Sequence, residues 1–249
     1  MSEEQIIEVW GDYACFTRPE LKVERFSYPV ITPSAARGIF DAIYCKPSRD
    51  GTTAEFRWQV TQVEVLKPPS YVALRRNEVK NKASVSAIQK WMSGSGAPRP
   101  IIADGTPAEL GTDQEGRTQR QTMALRDVRY RLHAIPKMWP GHEHRQAAIA
   151  AQFRRRASTG KCFYQPCFGN REFPAYFELV DDGAPLVPRA PVDIDVGLML
   201  YDVFDLSRPG TSNSPSSVSL FHARVIDGLM LIPDYDSPEV LKPRRGAPC

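Results

Sequence analysis

The sequence lacks the short motifs of the common metal, nucleotide and hydrolase sites. It contains no H-E-x-x-H zinc motif, no P-loop, no G-x-S-x-G nucleophile elbow and no G-x-G-x-x-G fingerprint. The five cysteines are an odd number without a C-x-x-C pair, which indicates neither a zinc site nor a disulfide framework. We therefore expect reduced thiols, no metal and no other cofactor.

Long apolar runs are also missing. No segment approaches the roughly 18 apolar residues of a membrane span. The N-terminus has Glu3 and Glu4 at the place where a secretory signal would be basic. These absences predict a soluble, cytoplasmic protein that does not enter a membrane.

The charges nearly balance over the chain. There are 32 Lys and Arg against 29 Asp and Glu, so the formal charge is +3. This balance does not by itself identify a nucleic-acid binder, because many ordinary enzymes share it. The distribution says more. Basic clusters occur at residues 75–76, 117–131, 154–156 and 242–245, and acidic clusters occur at 181–182 and 193–205.

Apolar periodicity predicts an α+β fold. The elements follow the order strand, helix, strand, strand, helix, strand, which is the ferredoxin-like split arrangement that also underlies RNA-recognition modules. We predict a ferredoxin-like domain over residues 1–183 and a small antiparallel sheet domain over 184–249, with a flexible tail from 242. Residues 80–119, rich in Ser, Gly and Pro, are expected to form a functional or disordered loop.

The first helix is predicted to begin at Pro33, because Thr32 suits an N-cap and proline loses no bond at the first helical position. Its apolar stripe is Ala36, Ile39, Phe40 and Ile43. The helix ends near Tyr44 and Lys46. This phenol and amine are either a packed ring beside a solvated charge or parts of an RNA-cutting site, and spacing alone favours the packed ring.

The second helix is predicted over residues 143–158. Arg154, Arg155 and Arg156 lie in its last turn, where they either match the helix dipole or contact phosphate. His142 and His144 lie at the start of the helix and form either an exposed helix entry or a source of a general base near neutral pH. RNA is cut without a metal by such a base, a cation on the phosphate and an acid for the leaving 5′ oxygen.

Several blocks of the sequence resemble a known family, the d subtype (also written c) of the fifth CRISPR-associated protein family. The matching segments are Trp10–Thr17, Thr32–Pro47, Arg76–Val79, Leu125–Tyr130 and Gly160–Phe173. The resemblance implies a ferredoxin-like domain with a small C-terminal sheet. It also implies a metal-independent endoribonuclease that cuts the repeat hairpin of CRISPR precursor RNA and stays on the 5′ handle of the guide RNA.

The family's catalytic set is a tyrosine that ends the first helix and a Lys-His pair at the start of the second. Tyr44 matches the tyrosine. Counting back without gaps from Gly160 places the pair at Ala148 and Ile149, which cannot do acid–base chemistry. With one extra helical turn, His144 and Arg145 come closest to the required place, although arginine preserves only the charge.

The same resemblance implies the binding residues and partners. The expected RNA-binding residues are Arg37, Lys46, Arg76, Arg126, Arg129, Arg154, Arg155, Arg156, Lys161 and Arg171. The expected partners are CRISPR precursor RNA, mature guide RNA, the other subunits of the type I-C interference complex and, as a further candidate, duplex DNA. Two alternatives remain: a non-catalytic subunit that holds the RNA handle, and a general binder of duplex nucleic acid.

Overall fold

The computed structural model describes residues 4–21, 23–47, 53–98, 101–102, 104–111, 115–180, 183, 186–210 and 214–243. The chain forms two compact units, a larger one of residues 1–72 with 123–249 and a smaller one of residues 73–122. The predicted flexible tail lies outside the described residues from 244 onward. No helix within the described ranges has the length and apolarity needed to cross a membrane.

In chain order, the elements of the two units are β1 (Gln5–Ala14), β2 (Arg25–Phe26), α1 (Pro33–Ile43), β3 (Phe56–Val65), β4 (Tyr71–Val79), α2 (Val85–Met92), α3 (Pro107–Leu110), β5 (Arg117–Met138), a 3-10 turn (Glu143–Arg145), α4 (Gln146–Ala157), β6 (Tyr176–Leu179), β7 (Ile194–Asp202), β8 (Ser219–Val225) and β9 (Leu229–Leu231).

The main sheet has the strand order β6-β1-β5-β3-β9, and each neighbouring pair is antiparallel. Strand β5 thus lies between β1 and β3, which is the split βαβ arrangement. The predicted α+β class is confirmed. In the sequence, Phe56, Trp58 and Val60 alternate with polar residues and Val63 and Val65 continue out of phase, which predicts a bulge. The bulge is present, since the pairing with β5 shifts register between Val60 and Gln62.

Helix α1 follows the sequence pattern closely. The Thr32 hydroxyl accepts a hydrogen bond from the Ala35 amide at 3.2 Å and caps the helix, as predicted. The predicted apolar stripe is buried. Three rings join this stripe to β3 and α4: Phe40 lies 5.1 Å from Trp58 and 5.3 Å from Phe153, and Trp58 lies 4.7 Å from Phe153. This ring cluster holds both helices on the same region of the sheet.

The C-terminal strands divide between two sheets. Strands β7 and β8 form a two-stranded sheet, whereas β9 pairs with β3 of the main sheet. The sequence has strand-like runs at 194–204, 218–226 and 229–232, which predict one small antiparallel sheet. This prediction is wrong for the third run. The Asp227-Gly228 pair in the sequence predicts a tight hairpin turn. The turn is present, with positive φ at both residues. The division into domains after residue 183 stays a prediction, and β9 belongs to the larger unit.

The expectation of a long loop over residues 80–119 is wrong, because the described part of this segment contains helices. Strand β4 pairs with β5, and helix α2 lies within the segment that joins them. The Ser84 hydroxyl accepts a hydrogen bond from the Ala87 amide at 3.1 Å, which caps α2. The Ser-Gly cluster that suggested a loop begins only where α2 ends, with Gly94 at φ 73°.

A partly buried ion pair connects α1 to β7. The Arg37 guanidinium donates to the two carboxylate oxygens of Asp202 at 2.8 and 3.2 Å. It also donates to Asp41 at 2.6 Å. The Asp202 side chain is only 1% exposed, so this carboxylate depends on Arg37 for its neutralisation. Arg37 therefore connects the β7–β8 sheet to α1 through this ion pair.

We expect Arg37→Met to lower the free energy of unfolding by about 3 kcal/mol, because it leaves the buried Asp202 carboxylate without its cation. Urea unfolding measures the change. The matched control is Arg224→Met, which removes the exposed pair between Arg224 and Asp195 and should cost under about 1 kcal/mol. Equal losses in the two variants would contradict the proposed role of Arg37.

Candidate active site

Tyr44 lies where α1 ends. Its side chain is 8% exposed and stacks between two rings, Phe56 at 6.1 Å and Phe163 at 6.3 Å. The Trp58 indole N–H donates to the Tyr44 carbonyl oxygen at 2.9 Å. The Tyr44 backbone is therefore held by the same tryptophan that packs α1 against α4, and its ring is held by Phe56 and Phe163.

Arg156 of α4 and the segment that follows α4 cover the C-terminal end of α1. The Phe163 amide donates to the Ala42 carbonyl at 2.7 Å, and the Arg156 Nε donates to the Ile43 carbonyl at 2.7 Å. The Arg156 guanidinium also lies 4.1 Å from the Phe163 ring centroid. These donors satisfy carbonyls that a helix end leaves unpaired. Arg156 thus serves first to join the ends of the two predicted helices.

Arg145 is held by a carboxylate that sequence analysis did not single out. Its Nη1 donates to Glu55 Oε1 at 2.9 Å, and the Glu55 side chain is only 2% exposed. The second oxygen, Oε2, is buried without a hydrogen-bond partner among the described residues. Glu55 lies just before β3 and no spacing rule marks it, because its partner is 90 residues away in the chain.

The ends of the two helices enclose a cleft of about 520 Å³. Tyr44, Lys46 and Arg145 line it together. Burial raises the pKa of the Tyr44 phenol, an effect that Arg145 opposes and Glu55 reinforces. The phenol is thus neutral near pH 7 and can donate a hydrogen bond, while the two cations can stabilise a negatively charged group in the cleft.

Only one of the two residues predicted as a catalytic pair lines the cleft. Arg145 lines the cleft, but His144 is exposed on the 3-10 turn and is not among the described residues that line it. Ala148 and Ile149, the positions reached by counting without gaps, do line the cleft. Arg145 precedes Ile149 by four residues, so the two lie on one face of the helical segment. The place implied for the family's Lys-His pair therefore has apolar side chains next to a cation.

The predicted RNA-binding residues differ in their availability. The guanidinium of Arg37 is bound to Asp202 and Asp41, and Arg129 donates to Glu8 at 2.7 Å. In the smaller unit, Arg76 pairs with Glu78 at 3.1 Å. Arg154 is half-buried on α4. The exposed members are Arg126, Arg155, Lys161 and Arg171, of which Arg126 donates to Ser70.

The structure also gives the state of the candidate metal ligands. Among the described residues, Cys15, Cys45, Cys162 and Cys167 form no disulfide bond. Cys249 lies outside the described residues. Within the described ranges, no three His, Cys, Asp or Glu side chains are grouped so that they could hold a metal ion.

A family model described as CRISPR-associated protein (Cas_Cas5), of the Cas5d subgroup, matches residues 6–234. The chain belongs to the Cas5d family. This membership confirms the resemblance drawn from the sequence blocks.

Two curated relatives, each named CRISPR pre-crRNA endoribonuclease Cas5d, support the Cas5d assignment. The protein of Mannheimia succiniciproducens is 38% identical over 240 residues, which cover 94% of this chain and 96% of the relative. The protein of Thermus thermophilus is 34% identical over 252 residues, which cover 96% of each. The match therefore extends over nearly the whole length of both relatives.

Solved structures share the fold of this Cas5d chain. The crystal structure of a CRISPR-associated protein aligns with a TM-score of 0.61 at 19% identity and covers 96% of each chain. A functionally uncharacterized protein from Streptococcus mutans aligns with a TM-score of 0.60 at 19% identity, covering 96% of this chain and 97% of the other. At this level of identity the likeness shows the fold alone.

We expect the Tyr44 phenol to ionise only above its ordinary pKa of 10.0, because burial disfavours the phenolate. The difference in phenolate absorbance between wild type and Tyr44→Phe, followed against pH, measures this. Tyr176→Phe, which removes an exposed phenol, controls for the loss of one tyrosine. Since the folded-state pKa is raised, stability should be unaffected below pH 10 and should fall as the pH rises further. Ionisation of Tyr44 below pH 10 would contradict the expectation.

Proposed function

We propose that this chain is a metal-independent endoribonuclease that cuts the repeat hairpin of CRISPR precursor RNA. It then remains on the 5′ handle of the guide RNA, with the other subunits of the type I-C interference complex, in the cytoplasm. The observation that carries this proposal is the cleft in which the Tyr44 phenol lies beside Arg145 and Lys46. The names of both curated relatives, CRISPR pre-crRNA endoribonuclease, support the same activity.

The proposed reaction is attack of the 2′-hydroxyl on the adjacent phosphate. Tyr44 donates a hydrogen bond that orients the reacting ribose, which suits a neutral phenol on a rigid support. Arg145 and Lys46 stabilise the charge that develops on the phosphate oxygens. Because Glu55 fixes Arg145 at 2.9 Å, this cation is already placed before RNA binds.

Proton transfer needs a further group. His144 is adjacent to Arg145 in the chain, and its imidazole is the predicted acid or base. As the base it would take the proton of the attacking 2′-hydroxyl, and as the acid it would protonate the leaving 5′ oxygen. Exposed cations outside the cleft bind the RNA backbone in this proposal: Arg126, Arg155, Lys161 and Arg171. Arg37 and Arg129 are less suited to this role, since each donates at least two N–H groups to carboxylates. Arg145 differs, because among the described residues only its Nη1 is bound to a carboxylate.

A second candidate function is a non-catalytic subunit that holds the RNA handle. The observation that favours it is the apolar pair Ala148 and Ile149 at the wall of the cleft. Neither side chain can transfer a proton. This candidate predicts tight binding of the repeat RNA without any cleaved product.

We expect the purified protein to cleave its own repeat RNA in the presence of EDTA. Tyr44→Phe and Arg145→Gln should each slow single-turnover cleavage roughly 100-fold, the size of effect that loss of one catalytic hydrogen bond or cation produces. His144→Ala tests the predicted acid or base in the same assay. The matched controls are Tyr176→Phe and Arg224→Gln, which remove an exposed phenol and an exposed guanidinium far from the cleft residues in sequence.

Two results would overturn the catalytic assignment. One is cleavage that requires magnesium, and the other is cleavage undiminished in both Tyr44→Phe and Arg145→Gln. Tight binding without product in the wild type would decide for the non-catalytic subunit.

Salt dependence separates specific from general binding. If the chain were a general duplex binder, its affinity would fall steeply with salt and would hardly distinguish the repeat hairpin from unrelated duplex RNA or DNA. We expect instead a preference for the repeat RNA that persists at two salt concentrations. Equal affinity for repeat RNA and unrelated duplex would contradict the specific function.

A further inference from the structure

A larger cavity of about 920 Å³ lies on another face of α1. One wall is the helix itself and the opposite wall is the loop of residues 164–171. The helix wall carries short side chains: Ser34, Ala35, Gly38, Asp41 and Ala42. The cavity is open because these positions lie off the apolar stripe and fill little space.

Gly38 marks the middle of the helix wall. A Cβ atom added to Gly38 would meet nothing within 4 Å. The site therefore has room for a planar group against the helix at this point. Glycine in the interior of a helix is destabilising relative to alanine. Helix formation therefore does not explain why position 38 is a glycine that leaves this space empty.

The opposite wall is a firmly attached loop. The Cys15 amide donates to the Phe168 carbonyl at 3.0 Å, and the Phe168 amide donates to the Phe173 carbonyl at 2.8 Å. Gly169 has φ 82°, and a Cβ there would collide with the Cys15 carbonyl oxygen. Only glycine allows this close approach of the loop to the chain after β1.

The chemistry of the walls fits a nucleobase better than a phosphate. Tyr164 is 74% exposed and offers an aromatic face for stacking. Asp41 and Asn170 supply hydrogen-bonding groups, and the Asn170 Nδ2 is buried without a partner within the described residues. Arg171 is the one cation among the described lining residues, and the Asp41 carboxylate, which is paired with Arg37 at 2.6 Å, adds no positive charge. Unstacked RNA bases are bound in this way, by an aromatic face and by polar groups at the base edge.

The cavity adjoins the catalytic cleft, because one residue lines both and two consecutive residues line one each. Cys45 lines both, and the consecutive residues Phe163 and Tyr164 line the cleft and the cavity respectively. A strand whose phosphate occupied the cleft would carry its next nucleotide toward the cavity. We propose that the cavity between α1 and the 164–171 loop binds one unstacked base of single-stranded RNA next to the phosphate that is cut. For the identity of the RNA this subsite rests on the proposed function.

The test fills the cavity from the helix side. Gly38→Leu places a large side chain in the open space, and leucine has the higher helix propensity, so the variant should fold. Gly210→Leu makes the same change at another glycine with nothing within 4 Å, outside the cavity. Gly38→Ala adds one methyl group and should have a smaller effect than leucine. Urea unfolding of each variant verifies that it is folded.

Affinity is measured for repeat RNA and for copies with one abasic nucleotide at each position of the repeat in turn. We expect the wild type to bind one of these abasic RNAs roughly tenfold more weakly, the size of one lost base contact. Gly38→Leu should bind intact RNA more weakly by a similar factor. On that abasic RNA it should show no further loss, because both changes remove the same contact.

Each outcome decides the proposal. The subsite is refuted if Gly38→Leu binds the RNA as tightly as Gly210→Leu does. It is also refuted if Gly38→Leu and the abasic nucleotide lower the affinity independently at every position, so that their factors multiply. If the wild type cuts the RNA in either of these cases, the proposed function survives without the subsite. If the wild type does not cut but the two losses coincide, the subsite stands and the catalytic function fails. An absence of any RNA binding by the wild type overturns both.

Discussion

The packing of Trp58 against Phe40 and Phe153 is the contact on which the candidate site depends. It joins β3, α1 and α4, and the indole N–H also binds the carbonyl of Tyr44. Loss of a large buried ring of this kind typically costs about 3–5 kcal/mol. Because one side chain contacts both helices, the helix ends that carry Tyr44 and Arg145 are positioned by the core rather than by flexible loops.

Carboxylates decide which cations remain available. On the sheet, Arg131 is 3% exposed and donates to Glu8 and Glu64 at 2.8 and 2.7 Å. Arg129 shares Glu8, and Arg37 is bound by Asp202. These pairs give the interior of the fold its charge balance, since removing one member would leave a buried charge. The net charge of +3 therefore does not indicate which cations are available for binding. The available cations are the exposed Arg155, Lys161 and Arg171 and the cleft residues Lys46 and Arg145.

In the proposed site, the tyrosine implied by the family resemblance is present, whereas the Lys-His pair is not. Tyr44 occupies the predicted place at the end of α1, fixed by stacking on Phe56 and Phe163. The positions implied for the Lys-His pair hold Ala148 and Ile149, and a cation reaches the cleft from Arg145, one turn earlier. A guanidinium keeps the positive charge but does not transfer protons near neutral pH. In the proposed mechanism, proton transfer therefore requires another group, for which His144 is the candidate.

The sequence by itself determined the features that depend on neighbouring residues: the Thr32 cap and stripe of α1, the bulge in β3, the turn at Asp227 and Gly228, and the blocks that mark the family. Each of these depends on contacts within a few positions of the chain. Only the tertiary structure decided the pairing of β9 with β3, the carboxylate at Glu55, and the cavity beside Gly38. These features join residues far apart in the chain, and local patterns contain no information about such distant partners.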